Sequence, residues 1–202
     1  MTSPSREPGR ARNGRRGGDP PACTDAPAPL RLFFALWPDA GTAAALAALS
    51  VDVACRMSGR APPAANLHLT LAFVGEVLPA RLDALRAVGR DAATRAPAFS
   101  LTFDRVGAFR GSGIVWAGTG SPPPEIDALA AGLGDGLAGR GFPVDARPFH
   151  PHVTLARRCR RPGPFAIGTP IRWSATRLAL NASALSPRAP AYRVVDDWPL
   201  GG

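Results

Sequence analysis

The chain has 202 residues, 46% of them hydrophobic, and carries 24 basic against 15 acidic side chains, a net charge of +9. That size suits one globular unit, or two small lobes sharing a core. No apolar run approaches the roughly 20 residues a membrane-spanning helix needs. Three scattered cysteines, Cys23, Cys55 and Cys159, lack Cys-x-x-Cys spacing and argue against a disulfide framework or zinc knuckle.

Every basic residue is arginine. With abundant Ala, Gly and Pro, this reads as a usage bias across the chain. The excess charge is either a solvated basic surface or a match for a polyanion, because the guanidinium fork fits phosphate oxygens. The first 29 residues lack the apolar core of a secretory signal, and the cysteine usage fits a reducing compartment. The expected location is the cytoplasm.

Residues 1–29 are rich in Pro, Gly and Arg and are read as a disordered basic tail ahead of a unit spanning 30–202. Leu30 to Trp37 reads as a buried first strand ended by Pro38. Residues 39–58 read as an Ala- and Leu-rich helix. Leu67 to Val74 is a strand ended by Gly75. Residues 79–95 follow as an amphipathic helix burying Leu82, Leu85, Val88 and Ala92.

Residues 98–109 and 113–119 read as a hairpin around Gly111-Ser112-Gly113. A helix begins after Ser121, a candidate cap, and runs to about residue 139 despite Gly132, Gly134 and Gly136. Residues 148–157 read as a strand, Cys159 to Thr169 as a basic loop, Ile171 to Leu185 as one long strand and Ala191 to Trp198 as the last. The alternation of strands and helices with hairpins predicts an α+β fold with a mixed sheet, and the order of the elements hints at two similar lobes facing each other.

The tetrapeptide His-x-Thr-Leu occurs twice, as His68-Leu-Thr70-Leu71 and His152-Val-Thr154-Leu155, in a chain with only three histidines. In a strand, alternate side chains share a face, so each histidine points the same way as its threonine. Histidine gives or takes a proton near neutrality. Two of them on opposite walls of a cleft supply the base and the acid that hydrolysis of a cyclic phosphodiester needs, without metal. A threonine roughly 6.5–7 Å further along can donate a hydrogen bond to a non-bridging phosphate oxygen.

A lone histidine in an apolar strand is more often a core residue, and it is the duplication that points to function. His150-x-His152 with His68 also has ligand-like spacing, but the chain offers few other nearby donors, and no metal is expected. His150 lines the cleft or serves structure.

The sequence resembles the two-histidine phosphoesterase superfamily, and within it the bacterial and archaeal RNA 2′,3′-cyclic phosphodiesterases, once called 2′–5′ RNA ligases. The resemblance is carried by Arg31-Leu-Phe-Phe-Ala-Leu-Trp-Pro38, Asn66-Leu-His-Leu-Thr-Leu-Ala-Phe-Val-Gly-Glu76, Phe149-His-Pro-His-Val-Thr-Leu-Ala-Arg157, and Ser186-Pro-Arg with Tyr192-Arg-Val-Val and Trp198-Pro-Leu200. It implies an α+β fold of two pseudo-symmetric lobes of antiparallel or mixed sheet, with helices outside and a central basic cleft, in which His68 is the proton donor to the leaving oxygen and His152 the proton acceptor that activates water. It also implies that Thr70 and Thr154 bind phosphate, and that the product is a 2′-phosphomonoester. The reverse step would be a weak 2′–5′ ligation.

Arg157 matches the end of the family motif, yet strict alternation turns it away from His152 and Thr154. It reaches the cleft only if the strand twists or ends there. The same parity argument sets Phe73 opposite His68 and Thr70. Arg158, Arg160 and Arg161 form either a phosphate-steering edge or a solvated loop. The expected partner is RNA ending in a 2′,3′-cyclic phosphate, or a cyclic nucleotide. No membrane and no cofactor are expected, and the protein is read as a monomer. The rival readings are a non-catalytic module that binds nucleotides or RNA ends, and a cyclic phosphodiesterase acting on a metabolite such as ADP-ribose cyclic phosphate.

Overall fold

A computed structural model describes residues 28–184 and 191–201. Nearly all of the expected tail, and the Ser186-Pro-Arg stretch, lie outside the described residues. Eight strands form one sheet in the order β6-β3-β4-β5-β2-β1-β7-β8. They are β1 Leu30–Leu36, β2 Leu69–Val77, β3 Phe99–Phe109, β4 Ile114–Gly118, β5 His152–Ala156, β6 Phe165–Ala175, β7 Arg177–Ala184 and β8 Ala191–Pro199. Three helices, α1 Ala40–Arg56, α2 Leu82–Arg95 and α3 Pro124–Ala138, complete the α+β fold. None is long and apolar enough to cross a membrane.

Among the described residues every strand pairing is antiparallel, so no parallel component is present. The sheet divides into two four-strand halves that meet where β2 touches β5, at the single pair Leu69↔Val153. The expected lobes are these halves, and the two histidine motifs form their seam. The halves interlock: α1, which follows β1, packs on β5 and β6 of the other half, while α3, which follows β4, packs on β2.

The residues between the motif positions show why the seam is stable. Leu69, Val153 and Leu155 are fully buried and Leu71 nearly so, in one core that also holds Leu46 and Val53 of α1 and Ile126 and Leu133 of α3. Fully burying such a side chain stabilises by roughly 1.5–3 kcal/mol. Helix α1 starts at Asp39, whose carboxylate accepts from the Thr42 backbone N–H at 3.0 Å.

Several expectations need correction: the strand expected over 148–157 covers only His152–Ala156, and the basic loop expected from Cys159 to Thr169 gives way to β6 at Phe165. The stretch from Ile171 to Leu185 is not one strand: β6 ends at Ala175 and β7 begins at Arg177. These strands lie far apart in the strand order yet are joined through Thr176 alone, so the sheet bends back on itself. Neither Gly nor Pro marks the break. Ser121 does not cap α3, because the helix enters through Pro123 with no side-chain cap. The α3 glycines are tolerated, and at Gly136 an added Cβ would come within 3.1 Å of Val88, so the small residue allows α2 and α3 to approach.

Candidate active site

The pair Leu69↔Val153 sets the register at the seam. Stepping one residue each way along this antiparallel pair puts His68 opposite Thr154 and Thr70 opposite His152. Directly opposed residues share a face. All four motif side chains therefore lie on the face turned away from the helices, each partly exposed. The two strands carry the four groups as one block around a pseudo-twofold axis.

Each imidazole is oriented in the same way. His68 Nδ1 donates to the Asn66 carbonyl at 2.8 Å, and His152 Nδ1 to the His150 carbonyl at 2.7 Å. A carbonyl only accepts, so Nδ1 carries a proton in both rings and Nε2 is the atom free to exchange one. His68 Nε2 lies 3.1 Å from Thr70 Oγ1. Aromatic side chains wall both rings. Phe33, Trp37 and Tyr192 pack on His68 at centroid distances of 5.1, 5.0 and 5.0 Å. Phe109 packs edge-on against His152 at 5.0 Å. Trp37 is held in turn by its Nε1–H, which donates to Asn181 Oδ1 at 3.0 Å.

Both imidazoles lose basicity here. Burial pulls His68 down to about 4, with the Arg157 and His152 charges adding to the effect and the Asn66 carbonyl opposing it. Burial also lowers His152, again with a contribution from Arg157. His68 thus takes up its proton less readily in the folded chain than in the unfolded one, where its value is near 6.5. The stability gained is full above pH 6.5 and is lost as pH falls from there toward 4. Between pH 7.5 and 4.5 the expected loss from His68 is about 2–3 kcal/mol, and a His68→Gln variant should show a correspondingly smaller drop in urea midpoints over that range.

Strict parity fails at Phe73 and at Arg157 for one shared reason, and at Arg157 the strand also ends, the condition under which it was expected to reach the cleft. On β5, Thr154 pairs with Trp116 but Ala156 with Val115, so Leu155 is an extra, bulged residue. On β2, Thr70 pairs with Ala35 but Ala72 with Phe34, so Leu71 is bulged likewise. A bulge re-aims the side chains that follow it. The leucine of each His-x-Thr-Leu is the bulge, and the residue two further on, Phe73 or Arg157, swings to the histidine face. Phe73 is 56% exposed there, with its ring 6.1 Å from Phe33. Arg157 lies just past the end of β5 and is paired through its backbone with Arg60.

The β5 bulge is braced from the helix layer. The buried Ser50 hydroxyl of α1 donates to the Leu155 carbonyl at 2.5 Å. Removing that donor takes a hydrogen bond from a buried carbonyl. Ser50→Ala is expected to cost about 1–3 kcal/mol in urea denaturation.

Other predicted residues fall as follows. His150 contributes its carbonyl to His152, and its ring packs on Trp116 at 4.5 Å. Arg158, Arg160 and Arg161 are exposed, and none has an acidic partner among the described residues. Among the described residues no group of three or more His, Cys, Asp or Glu side chains could hold a metal. Sequence reasoning missed Trp37, Tyr192 and Trp116. For Trp116 a signal was present, since Gly107 and Gly118 are strand glycines with no turn to serve.

A sequence profile of the 2′-5′ RNA ligase superfamily matches residues 37–181, a span that contains both histidine motifs. The chain belongs to this superfamily. Among its members, an RNA 2′,3′-cyclic phosphodiesterase of Escherichia coli is 38% identical over 149 residues, covering 71% of this chain and 81% of that protein. A protein of the same name from Thermus thermophilus is 30% identical over 183 residues, covering 86% and 91%. Escherichia coli LigT, solved in complex with 3′-AMP, superposes with a TM-score of 0.75 at 33% identity, over 86% of this chain and 99% of its own. As a member of the 2′-5′ RNA ligase superfamily, the two-histidine phosphoesterases, the chain is an enzyme.

Proposed function

We propose that the protein is a metal-independent RNA 2′,3′-cyclic phosphodiesterase that hydrolyses cyclic-phosphate termini to 2′-phosphomonoesters. One observation carries the reading: the Leu69↔Val153 register gathers two imidazoles and two hydroxyls on a single face. The names of the superfamily members from Escherichia coli and Thermus thermophilus supply the substrate class.

In this scheme the cyclic phosphate lies over the seam, its non-bridging oxygens held by the Thr70 and Thr154 hydroxyls and the Arg157 guanidinium. His152 Nε2 takes a proton from water as its oxygen bonds to phosphorus. The bond from phosphorus to O3′ breaks, and His68 Nε2–H gives its proton to O3′. The phosphate stays on O2′. Negative charge builds on the non-bridging oxygens, where the donors are aimed.

His68 must carry its proton when this happens. The free protein disfavours it, because burial and Arg157 both oppose the imidazolium. An anionic phosphodiester reverses that balance, so substrate binding takes up a proton. The pH profile of kcat/KM reports the free protein, and it requires one imidazole protonated and the other neutral. With both depressed below the ordinary value, the expected bell centres below pH 6.5. A profile centred above pH 7 would contradict it.

The deciding experiment is incubation with an oligonucleotide ending in 2′,3′-cyclic phosphate, with EDTA present, followed by phosphorus NMR. A 2′-monoester is expected. An unchanged cyclic phosphate would favour the non-catalytic binding module, and turnover confined to ADP-ribose cyclic phosphate would move the substrate to a metabolite. A 3′-monoester would reverse the leaving group.

A further inference from the structure

The two halves of the sheet are alike around their histidines but are not filled alike. Beside His68 the cleft face is occupied by Trp37 and Tyr192, which both pack on the ring. Across the ladder from His152 stands Gly118, and across from Trp116 stands Gly107. A Cβ at Gly107 would come within 2.2 Å of the Trp116 indole, and one at Gly118 within 2.6 Å. The indole therefore lies flat over two positions that have no side chain. Its Nε1 is buried without a hydrogen-bond partner, a state that is uncommon away from functional sites.

This floor belongs to an open groove of about 1010 Å³, lined by Trp116, Phe109, Arg105 and Arg110 and, on its other side, by Pro162–Ala166. Phe109 also packs on His152, so this side chain stands between the groove and the His152 ring. Its charge is not balanced. Asp104 pairs with Arg105 at 2.9 Å, whereas Arg110 has no acidic partner among the described residues. Arg160 and Arg161, which precede the lining residue Pro162 in the chain, also lack an acidic partner among the described residues. A flat aromatic floor beside unpaired arginines suits a base and a phosphate. The volume is at the upper end for a small-molecule site.

We propose that this groove is a subsite for the nucleotide preceding the cyclic-phosphate residue of an RNA strand, its base stacked on Trp116 and its phosphate against Arg110. The proposal rests on the cyclic phosphodiesterase reading and extends it: the enzyme distinguishes an RNA end from a free cyclic nucleotide.

The test compares kcat/KM for a trinucleotide ending in 2′,3′-cyclic phosphate with that for 2′,3′-cyclic AMP. The ratio within each variant is the readout, so a general loss of turnover cancels. The wild-type ratio is expected to be about 10 or more, given the strength of base stacking on aromatic side chains. Arg110→Gln, an exposed change, and Trp116→Leu should each bring the ratio toward one. Arg90→Gln, on the exposed face of α2, should keep the wild-type ratio. A wild-type ratio near one, or variants that retain it, overturns the subsite while leaving the phosphodiesterase reading intact. No turnover of either substrate overturns that reading and the subsite with it.

Discussion

Replacing either histidine with alanine is expected to lower kcat/KM on a 2′,3′-cyclic phosphate terminus by about 10²–10⁴-fold, the range for losing one positioned acid or base. The two losses should not add. Water activation and O3′ protonation belong to one displacement, so the double variant should be little worse than the weaker single one. Fold retention has to be shown separately, because His68 packs among Phe33, Trp37 and Tyr192 and its removal leaves a gap. His68→Asn and His152→Asn fill more of that space and keep a polar group near the Asn66 and His150 carbonyls. Activity is read beside far-UV circular dichroism and urea midpoints at pH 7.5. Near-normal turnover by any one of these folded variants would end the two-histidine scheme.

The reach of the sequence is clearest in these same residues. Two copies of His-x-Thr-Leu were enough to place each histidine on one face with its threonine, His68 with Thr70 and His152 with Thr154, because period-two alternation holds across those two steps. It fails one residue later. Leu71 and Leu155 are bulged, and nothing in their chemistry says so: both are buried leucines, as an unbroken strand would also have. The Leu155 carbonyl accepts a hydrogen bond from the Ser50 hydroxyl, more than a hundred residues away. A local pattern cannot report such a partner. Phe73 was therefore assigned to the wrong face by a rule that was valid on either side of the bulge, and for Arg157 the stated exception to that rule, a strand that ends there, is what holds.

The fold divides along the same line. Most strands and helices were legible from periodicity and Pro or Gly punctuation, and the α+β class followed. The break at Thr176 was not, since the chain there leaves one half of the sheet for the other with no residue that forces a turn. The seam itself is likewise invisible locally. It consists of one residue pair, Leu69↔Val153, joining segments 84 positions apart. The motif repeat suggested that the histidines meet. The fact that they meet as neighbouring strands of one sheet comes from packing of the buried leucines and valine against helices exchanged between the halves.

Replacing Arg157 with glutamine should have two effects that separate its placement from its use. Its charge lowers the proton affinity of both His68 and His152, so both imidazoles should titrate at higher pH in the variant, without substrate present. With only three histidines in the chain, their ring protons can be followed individually by NMR, assigned through the histidine variants. Catalysis should move the other way. Loss of one charge-assisted donor to a non-bridging oxygen is expected to cost about 10²-fold in kcat/KM. Arg157→Lys distinguishes charge from shape. An ammonium at that position restores the low imidazole titrations but not the planar fork, so activity should return only in part. If both titrations are unmoved in Arg157→Gln, the guanidinium does not act on the cleft, and the bulge at Leu155 has no catalytic consequence. If the titrations move and activity does not, Arg157 sets the field in the cleft without holding the phosphate.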